Sequence, residues 1–151
     1  FYPKLPLLSL VFATLIFCAC ATEKPYHVSH DKLSRNIKLF NADFEARSAE
    51  VSAILVKSDT RENYLLQLPD IKEKITFSES SVIKIEYFKE GVFAKQSGGI
   101  PEEEFNECVV TMRYKLVILP SNKLTTKIAK QRWIKEGEDW VVIPDLAQFA
   151  K

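Results

Sequence analysis

The spacing of apolar residues changes once along this chain, near residue 78, and this change constrains the fold more than any other feature. Before it, apolar residues recur at spacings of three, four and seven, as on one face of a helix. After it they alternate with polar residues, as in strands with one buried and one solvated face. The pattern predicts an α+β domain, with N-terminal helices packed on a curved antiparallel sheet of about four strands.

The helical half is predicted to begin at Asp31, a residue type that often caps helix N-termini. Its apolar stripe extends to about Lys57, as one long helix or as two with a bend near Asn41. The stripe consists of Leu33, Ile37, Phe40, Phe44, Val51, Ile54 and Leu55. A further helix begins near Arg61, and we expect Pro69 to end or kink it because proline lacks the amide hydrogen.

The strand half contains four predicted strands. The inward positions of the first are Ile83, Ile85 and Tyr87. Residues 96–104 are rich in glycine, proline and glutamate and are predicted to form a loop. The clearest strand has inward residues Cys108, Val110, Met112, Tyr114, Leu116 and Ile118. Residues 124–135 and 140–143 complete the sheet as a hairpin around Gly137.

A different signal stands near the N-terminus, where Leu5–Ala21 is a run of 17 uncharged residues preceded by Lys4. A basic residue, a short apolar run and small residues at its end are features of a secretory signal peptide. The run is shorter than the roughly 20 residues that a membrane-spanning helix needs. An uncleaved transmembrane anchor is the alternative, and both interpretations place the following domain outside the cytoplasmic membrane.

The end of this run, Phe17-Cys18-Ala19-Cys20, resembles the bacterial lipobox. In that motif a small residue, here Ala19, precedes a cysteine that is diacylated and becomes the N-terminus. We therefore expect lipid on Cys20, and two or three acyl chains anchor a domain durably because each buried CH₂ contributes about 0.8 kcal/mol. Ala21 after the cysteine resembles an outer-membrane sorting signal in cells with two membranes.

These signals divide the chain into three parts. Residues 1–19 form the signal peptide, residues 20–30 the lipidated cysteine and a tether, and residues 31–151 a single α+β domain. Without residues 1–19, 20 basic and 20 acidic residues remain. Nucleic-acid binding depends on clustered positive charge, so this neutral balance argues against a nucleic-acid partner.

The cysteines and histidines offer little chemistry. Cys108 stands in an alternating strand beside Glu107, so we expect a small buried hydrophobe rather than a reactive thiol, which needs exposure and a basic neighbour. His27 and His30 have the spacing of paired metal ligands, but they lie in the predicted tether without further ligands. We predict neither a metal nor a cofactor.

The order of these elements resembles the nuclear-transport-factor-2-like superfamily, and more narrowly the small exported bacterial lipoproteins of that fold. The resemblance covers about residues 35 to 145 and consists of hydrophobic landmarks rather than a catalytic signature. They are Tyr64, Leu68-Pro69, Cys108-Val109-Val110, Tyr114 and the Trp133…Gly137…Trp140 hairpin. The resemblance implies a cone-shaped fold that hosts enzymes, binding modules and assembly domains alike.

Enzymes of this fold place an Asp, His or Tyr between the helices and the sheet. Tyr87 or Tyr114 with Glu86 or Asp145 would form a tyrosine–carboxylate pair of the ketosteroid-isomerase type. Tyr114 shares the apolar face of its strand, which favours a core tyrosine, and we do not predict an enzyme.

Two further features are candidate binding surfaces. Trp133 and Trp140 flank the last hairpin and are expected to pair across it, with a carbohydrate- or partner-binding surface as the alternative. The strand before the turn is basic and could meet the acids at 102–107 or an anionic partner. Its cations are Lys123, Lys127, Lys130, Arg132 and Lys135.

The sequence therefore predicts a lipid-anchored envelope protein without catalytic activity. It would bind a small apolar ligand between helices and sheet, or a protein partner. The pocket or surface residues that we consider are Tyr64, Tyr87, Tyr114, Arg132, Trp133 and Trp140. The alternatives are an isomerase- or dehydratase-like enzyme in the same pocket, and an assembly domain that forms a homodimer through the sheet face around Trp133.

Overall fold

A computed structural model of the chain describes residues 28–46, 48–94 and 104–150. Its helices are α1 (Val28–Glu45), α2 (Glu50–Leu55) and α3 (Arg61–Lys74). Its strands are β1 (Ile75–Lys89), β2 (Val92–Phe93), β3 (Glu107–Ile118), β4 (Leu124–Glu136) and β5 (Asp139–Ile143). A 3₁₀ helix, Leu146–Phe149, follows the last strand. The predicted α+β class is confirmed.

The strands form one antiparallel sheet in the order β2-β1-β3-β4-β5. The sheet has five strands where about four were predicted. The additional strand is β2, which returns onto Phe88 and Lys89 at the end of β1. Gly91 makes this return because its φ of 81° lies in the left-handed region that glycine adopts without steric cost.

Strand β1 is longer than predicted and irregular. It begins at Ile75, directly after α3, rather than after residue 78. Its register with β3 shifts between Phe77 and Glu79 and again between Val82 and Lys84. Each shift is a β-bulge, which bends the strand and reverses the faces of the residues beyond it. The predicted inward position of Ile83 is wrong for this reason: Ile83 is 53% exposed.

The first helix also departs from the prediction. Its backbone is helical from Val28, so the predicted tether is at least three residues too long. The chain does not bend at Asn41, whose side chain donates to the Ile37 carbonyl oxygen at 2.8 Å within the continuous helix. The break comes after Glu45 instead. Asp43 then accepts a hydrogen bond from the Ser52 amide at 2.7 Å, which satisfies a free N–H at the start of α2.

Pro69 does not end the third helix, which continues from Arg61 to Lys74. Proline removes the hydrogen bond to the carbonyl four residues earlier, which belongs to Leu65. Both Pro69 and Leu65 are exposed, so water can take the place of the missing donor. The buried face of the helix, which carries Tyr64, Leu68 and Ile71, remains intact.

The core lies between the helices and one face of the sheet. Alternation in β3 is confirmed, since Cys108, Val110, Met112, Tyr114 and Leu116 are all buried. The outer face of the sheet is solvated. No helix among the described residues is long and apolar enough to span a membrane. The predicted signal peptide, Cys20 and the first residues of the tether lie outside the described part of the chain.

Candidate functional site

A cavity of about 350 Å³ opens at the end of the sheet where α3 runs into β1. Its wall is apolar and comes from three parts of the chain: the α3–β1 junction, the end of β3 and the 3₁₀ helix. The wall residues are Ile71, Ile75, Ile118, Leu146 and Phe149. The polar residues at its border are Gln67, Asp70 and Lys74. This size and lining are those of a small-molecule site with few polar anchors.

The 3₁₀ helix that closes the cavity is held by two side chains. Asp145 accepts a hydrogen bond from the Ala147 amide at 3.1 Å and so caps the helix. Gln148 accepts from the Lys130 amide at 2.7 Å and donates to the Lys130 carbonyl at 3.0 Å. The amide of Gln148 thereby ties the 3₁₀ helix to the backbone of β4.

Phe149 is the largest side chain of this wall. Its ring lies 5.4 Å from that of Tyr114 and 5.6 Å from that of Phe44, between centroids. The ammonium group of Lys127 lies 5.9 Å from the centre of the Phe149 ring, at the outer limit of a cation–π contact. The wall therefore belongs to the packed core on one side and borders the cavity on the other.

The ionisable groups that line the cavity, Asp70 and Lys74, are both exposed at its rim. A catalytic site needs ionisable groups that converge inside a pocket and hold displaced pKa values. The described lining of this cavity lacks that convergence. It suits a ligand with an apolar body and one polar end.

Apart from the cavity, a group of buried polar side chains lies beneath α1. It consists of Asn41, Tyr114, Gln131 and Trp133. We call it the polar network. The Tyr114 hydroxyl donates to Asn41 Oδ1 at 2.5 Å and accepts from Gln131 Nε2 at 2.8 Å. Gln131 Nε2 also donates to Asn41 Oδ1 at 2.7 Å. Trp133 Nε1 donates to Gln131 Oε1 at 3.2 Å.

Asn41 Nδ2 donates to the Ile37 carbonyl oxygen and more weakly, at 3.4 Å, to Gln131 Oε1. With this, every side-chain N–H and O–H group of the polar network has a hydrogen-bond partner. Burial, and to a lesser extent the Glu45 carboxylate, raise the pKa of Tyr114 far above its usual range. A tyrosine that is buried, fully bonded and hard to ionise is a structural residue. The expectation of a core tyrosine at position 114 is confirmed.

The tyrosine–carboxylate pairs considered above do not form. Asp145 caps the 3₁₀ helix. Glu86 pairs with Val109 on the solvated face of the sheet and contacts Lys84 at 2.7 Å, whereas Tyr114 faces the helices. Tyr87 stacks on Phe105 with ring centroids 5.3 Å apart. Alternation along β1 and β3 places Glu86 on the face opposite to Tyr87 and Tyr114.

Tyr64 is also buried, and its hydroxyl hydrogen-bonds Ser52 Oγ at 3.0 Å. Burial raises the pKa of Tyr64 to about 12. Beside it, burial acts to raise the pKa of Asp43, but hydrogen bonds from Ser52 and Ser48 and the Lys72 ammonium together lower it. This group of polar residues joins α1, α2 and α3 rather than lining a pocket.

The two tryptophans are not surface residues. Trp133 is 0% exposed and Trp140 is 3% exposed. Trp133 lies opposite Val142, and Trp140 lies opposite Lys135, so the two are not directly paired across the hairpin. The register between β4 and β5 therefore makes the expected direct pairing wrong, and burial of both tryptophans beneath α1 makes the alternative of a binding surface wrong.

Arg132 and Cys108 both lie where their strands' alternation predicts, Arg132 on the outer face and Cys108 in the core. Arg132 lies on the exposed face of β4 and contacts Glu107 through Nε at 2.7 Å and Nη2 at 3.2 Å. The basic strand β4 therefore contacts one of the acids at 102–107, which is one of the two alternatives predicted for it; the other was an anionic partner. Cys108 is fully buried, and burial raises the pKa of its thiol to about 12, which confirms its structural role.

The remaining candidates lie outside the described part of the chain. These are His27 and the lipidation site Cys20, and for His30 the helical backbone alone is described. Among the described residues no group of three or more His, Cys, Asp or Glu side chains could hold a metal ion.

The cavity itself was missed by sequence reasoning, although one signal for it exists. Asp145 followed by Leu146 and Phe149, three residues apart, has the form of a capped helical turn with one apolar face. That turn supplies two of the wall residues.

Comparisons with known proteins give a fold and no family. No protein-family model and no curated protein matches the chain. The solution structure of a SEC-C motif containing protein from Rhodopseudomonas palustris is similar, with a TM-score of 0.53. That likeness has 10% sequence identity and covers 77% of this chain and 85% of the other, so it shows a shared fold alone.

A crystal structure of a protein from the same organism, provisionally assigned as an isomerase, has a TM-score of 0.47. Its sequence identity is 10%, with 81% of this chain and 93% of the other covered. A TM-score below 0.5 carries no argument about this chain.

Proposed function

We propose that this domain binds a small, largely apolar molecule with one polar end, without catalysing a reaction on it. The observation that carries the proposal is the cavity of about 350 Å³ between α3, β1 and the 3₁₀ helix. Ile71, Ile118 and Phe149 offer an apolar wall, and burying the ligand there releases water from both surfaces. The exposed Asp70 and Lys74 at the rim offer either charge to the polar end.

The polar network supports a binding role over an enzymatic one. An isomerase- or dehydratase-like mechanism would need a hydroxyl or carboxylate free to exchange a proton with substrate. The Tyr114 hydroxyl already donates to Asn41 and accepts from Gln131. Glu45, the acid that acts on the pKa of Tyr114, lines a different groove and is not among the residues of the cavity wall.

We propose in addition that the protein is exported and held on a membrane by lipid at Cys20, on the periplasmic side of the outer membrane where the cell has two. The support is the sequence at Lys4 and Leu5–Ala21 with its lipobox-like end. The resemblance to the nuclear-transport-factor-2-like superfamily belongs to the same proposal, supported by helices that precede an open antiparallel sheet. A homodimer through the outer sheet face would have to form without Trp133, which is buried.

The cavity is tested by native mass spectrometry of the Cys20→Ser form of the chain, which cannot carry the proposed lipid, purified from a bacterial periplasm. We expect a co-purified molecule of fixed mass. Ile118→Phe replaces an aliphatic side chain of the cavity wall by a larger aromatic one and should abolish binding of the co-purified molecule. Circular dichroism checks that the variant folds. Ile128→Phe is the matched control, because Ile128 is 52% exposed on the outer face. An apo mass for the Cys20→Ser form, or retention of the ligand by Ile118→Phe, would contradict the proposal.

The lipid anchor is tested separately by Cys20→Ser in the full chain expressed in a diderm bacterium. We expect the unmodified protein in the membrane fraction and the variant in the soluble periplasm or as an uncleaved precursor. Equal membrane retention of a fully processed variant would refute lipidation at Cys20 and leave the cavity proposal untouched.

A further inference from the structure

A groove of about 340 Å³ lies between α1 and β1. It shares no lining residue with the cavity. Ile37, Asn41 and Met112 form its buried floor, and Ser80, Ser81 and Val82 of β1 form one wall. Lys38, Ala42 and Glu45 of α1 form the other wall.

The wall formed by β1 is also an open sheet edge. On one side β1 pairs with β3 from Ile75 to Phe88, and on the other side β2 pairs only with Phe88 and Lys89. From Phe77 to Ile85, no strand among the described residues pairs with this second side. Unpaired N–H and C=O groups along such an edge are a template for an added strand.

The two bulges limit how long an added strand can be. They lie at Ser78 and Ile83, so the regular stretch between them is the four residues 79–82. A long flat edge invites aggregation, and bulges are one way in which proteins prevent it. Four regular residues still suffice for a short extended peptide. Its inward side chains would enter the groove beside Ser80 and Val82, which share the inner face of the sheet with Tyr114 and Met112.

Two charged residues of α1 line the groove: Lys38 is exposed, and Glu45, seven residues or about 10 Å further along the helix, favours a basic side chain beside it. Glu45 is half-buried, its carboxylate contacts the Ser80 hydroxyl, and no described cation lies within ion-pair distance of it. The last turn of α1 has no basic residue, and the partial negative charge of a helix C-terminus adds to that of the carboxylate. Burial raises the pKa of Glu45, which reflects the cost of a charge without a cationic partner.

We propose that the groove and the open edge of β1 bind a short extended segment of a partner protein, which adds as a strand beside residues 79–82 and places a lysine or arginine at Glu45. Backbone hydrogen bonds to β1 supply affinity that is independent of sequence, and the groove supplies preference for the inward side chains. The charge at Glu45 selects against acidic segments.

The test uses the full mature chain, isotope-labelled for NMR, and capped pentapeptides as probes. The basic peptide is Val-Thr-Arg-Thr-Val, whose first, third and fifth side chains would face inward, and Val-Thr-Glu-Thr-Val is its acidic match. We expect the basic peptide to shift the amide signals of residues 79–82 and the acidic one to bind at least tenfold more weakly. Glu45→Gln should weaken the basic peptide about tenfold. Glu62→Gln, on exposed α3, should not.

Backbone methylation of the peptide separates strand addition from simple charge attraction. In a strand, alternate N–H groups face the partner, so methylating the nitrogens of one parity should abolish binding and methylating the other should be tolerated. Equal tolerance of both patterns, equal binding of the acidic peptide, or signal shifts confined to the cavity of Ile71 and Phe149 would each overturn the proposal. Free arginine that binds as tightly as the peptide would overturn it too.

Discussion

The polar network and the cavity lie under the same helical layer and against the same face of the sheet, yet they are built in opposite ways. In the polar network, Asn41, Gln131 and Tyr114 satisfy one another inside the core. At the cavity, Ile71, Ile118 and Phe149 leave an apolar space of about 350 Å³ unfilled. The polar groups of the network thus bond to each other, whereas the cavity offers room for a ligand and few polar groups.

This difference teaches how to judge a buried polar residue. Tyr114 and Gln131 are polar, buried and in contact with each other, an arrangement that could be taken for an active site. Their bonds go to each other, and a satisfied network fixes the arrangement of core residues. The regions that we propose to be functional are marked instead by unfilled apolar surface and by unpaired backbone at the edge of β1. Three substitutions probe this contrast, from the largest expected effect to the smallest.

Gln131→Ala removes the residue that contacts all three other members of the polar network. Asn41, Tyr114 and Trp133 would each lose a partner while remaining buried, and we expect the free energy of unfolding to fall by about 3 kcal/mol. Urea denaturation measures this loss. Gln67→Ala, at an exposed position on α3, should change stability by less than about 0.5 kcal/mol. A loss for Gln131→Ala as small as that of the control would mean that the network does not act as a unit.

Phe149→Ala tests the other region. The ring is 7% exposed and packs against Phe44, Phe77 and Tyr114, but one side of it borders open space. We expect a loss of about 2 kcal/mol, below the 3–5 kcal/mol typical of a fully enclosed phenylalanine, because the cavity already lacks contacts on that side. Thermal unfolding measures this loss of stability, and Phe93→Ala is the control. A loss above about 4 kcal/mol would show that the cavity is closed in solution.

Glu45→Gln has the smallest expected effect and a pH signature. Burial raises the pKa of Glu45 in the folded protein, so the charged form is disfavoured by folding. The resulting penalty is absent below the unfolded pKa and develops as the pH rises through the folded pKa. Because the side chain is partly solvated, the gain from glutamine at pH 7.5 should be roughly a few tenths of a kcal/mol, or about 1 °C in Tm.

The same substitution should have no effect at pH 3, where glutamate is neutral in both states. The comparison is therefore between Tm differences at the two pH values in one buffer system. Asp43→Asn provides the opposite sign, since the pKa of Asp43 is lowered and its stabilisation is lost as the pH falls. A gain for Glu45→Gln that persists at pH 3 would show that charge burial is not its cause.

The secondary structure was predictable where periodicity is regular. The stripe from Leu33 to Phe44 and the alternation from Cys108 to Leu116 each extend over several periods, and both are confirmed. Boundaries were less predictable. The break after Glu45 depends on Asp43 bonding the Ser52 amide, a contact across nine residues. The passage of α3 through Pro69 depends on which side of the helix faces water, which only packing decides.

The candidate residues also fall into those whose position was predictable from the sequence and those whose position was not. Alternation alone places Tyr114 and Cys108 on the apolar face, and burial of both is confirmed. Trp133 and Trp140 were open to a surface interpretation because alternation shows that two residues share a face, not whether a helix covers it. Arg132 was predicted on a basic strand, and its contact with Glu107 follows from register between β3 and β4.

The sequence by itself determined the α+β class, the order of helices and strands, and the burial of β3, because these follow from local periodicity of side chains. The tertiary structure alone decided where unfilled volume and unpaired backbone remain. The cavity needs Ile75, Ile118 and Leu146, which are distant in sequence, to meet around a space. The open edge needs β2 to pair with only two residues of β1. Both are properties of how elements are placed against each other, and no single segment encodes them.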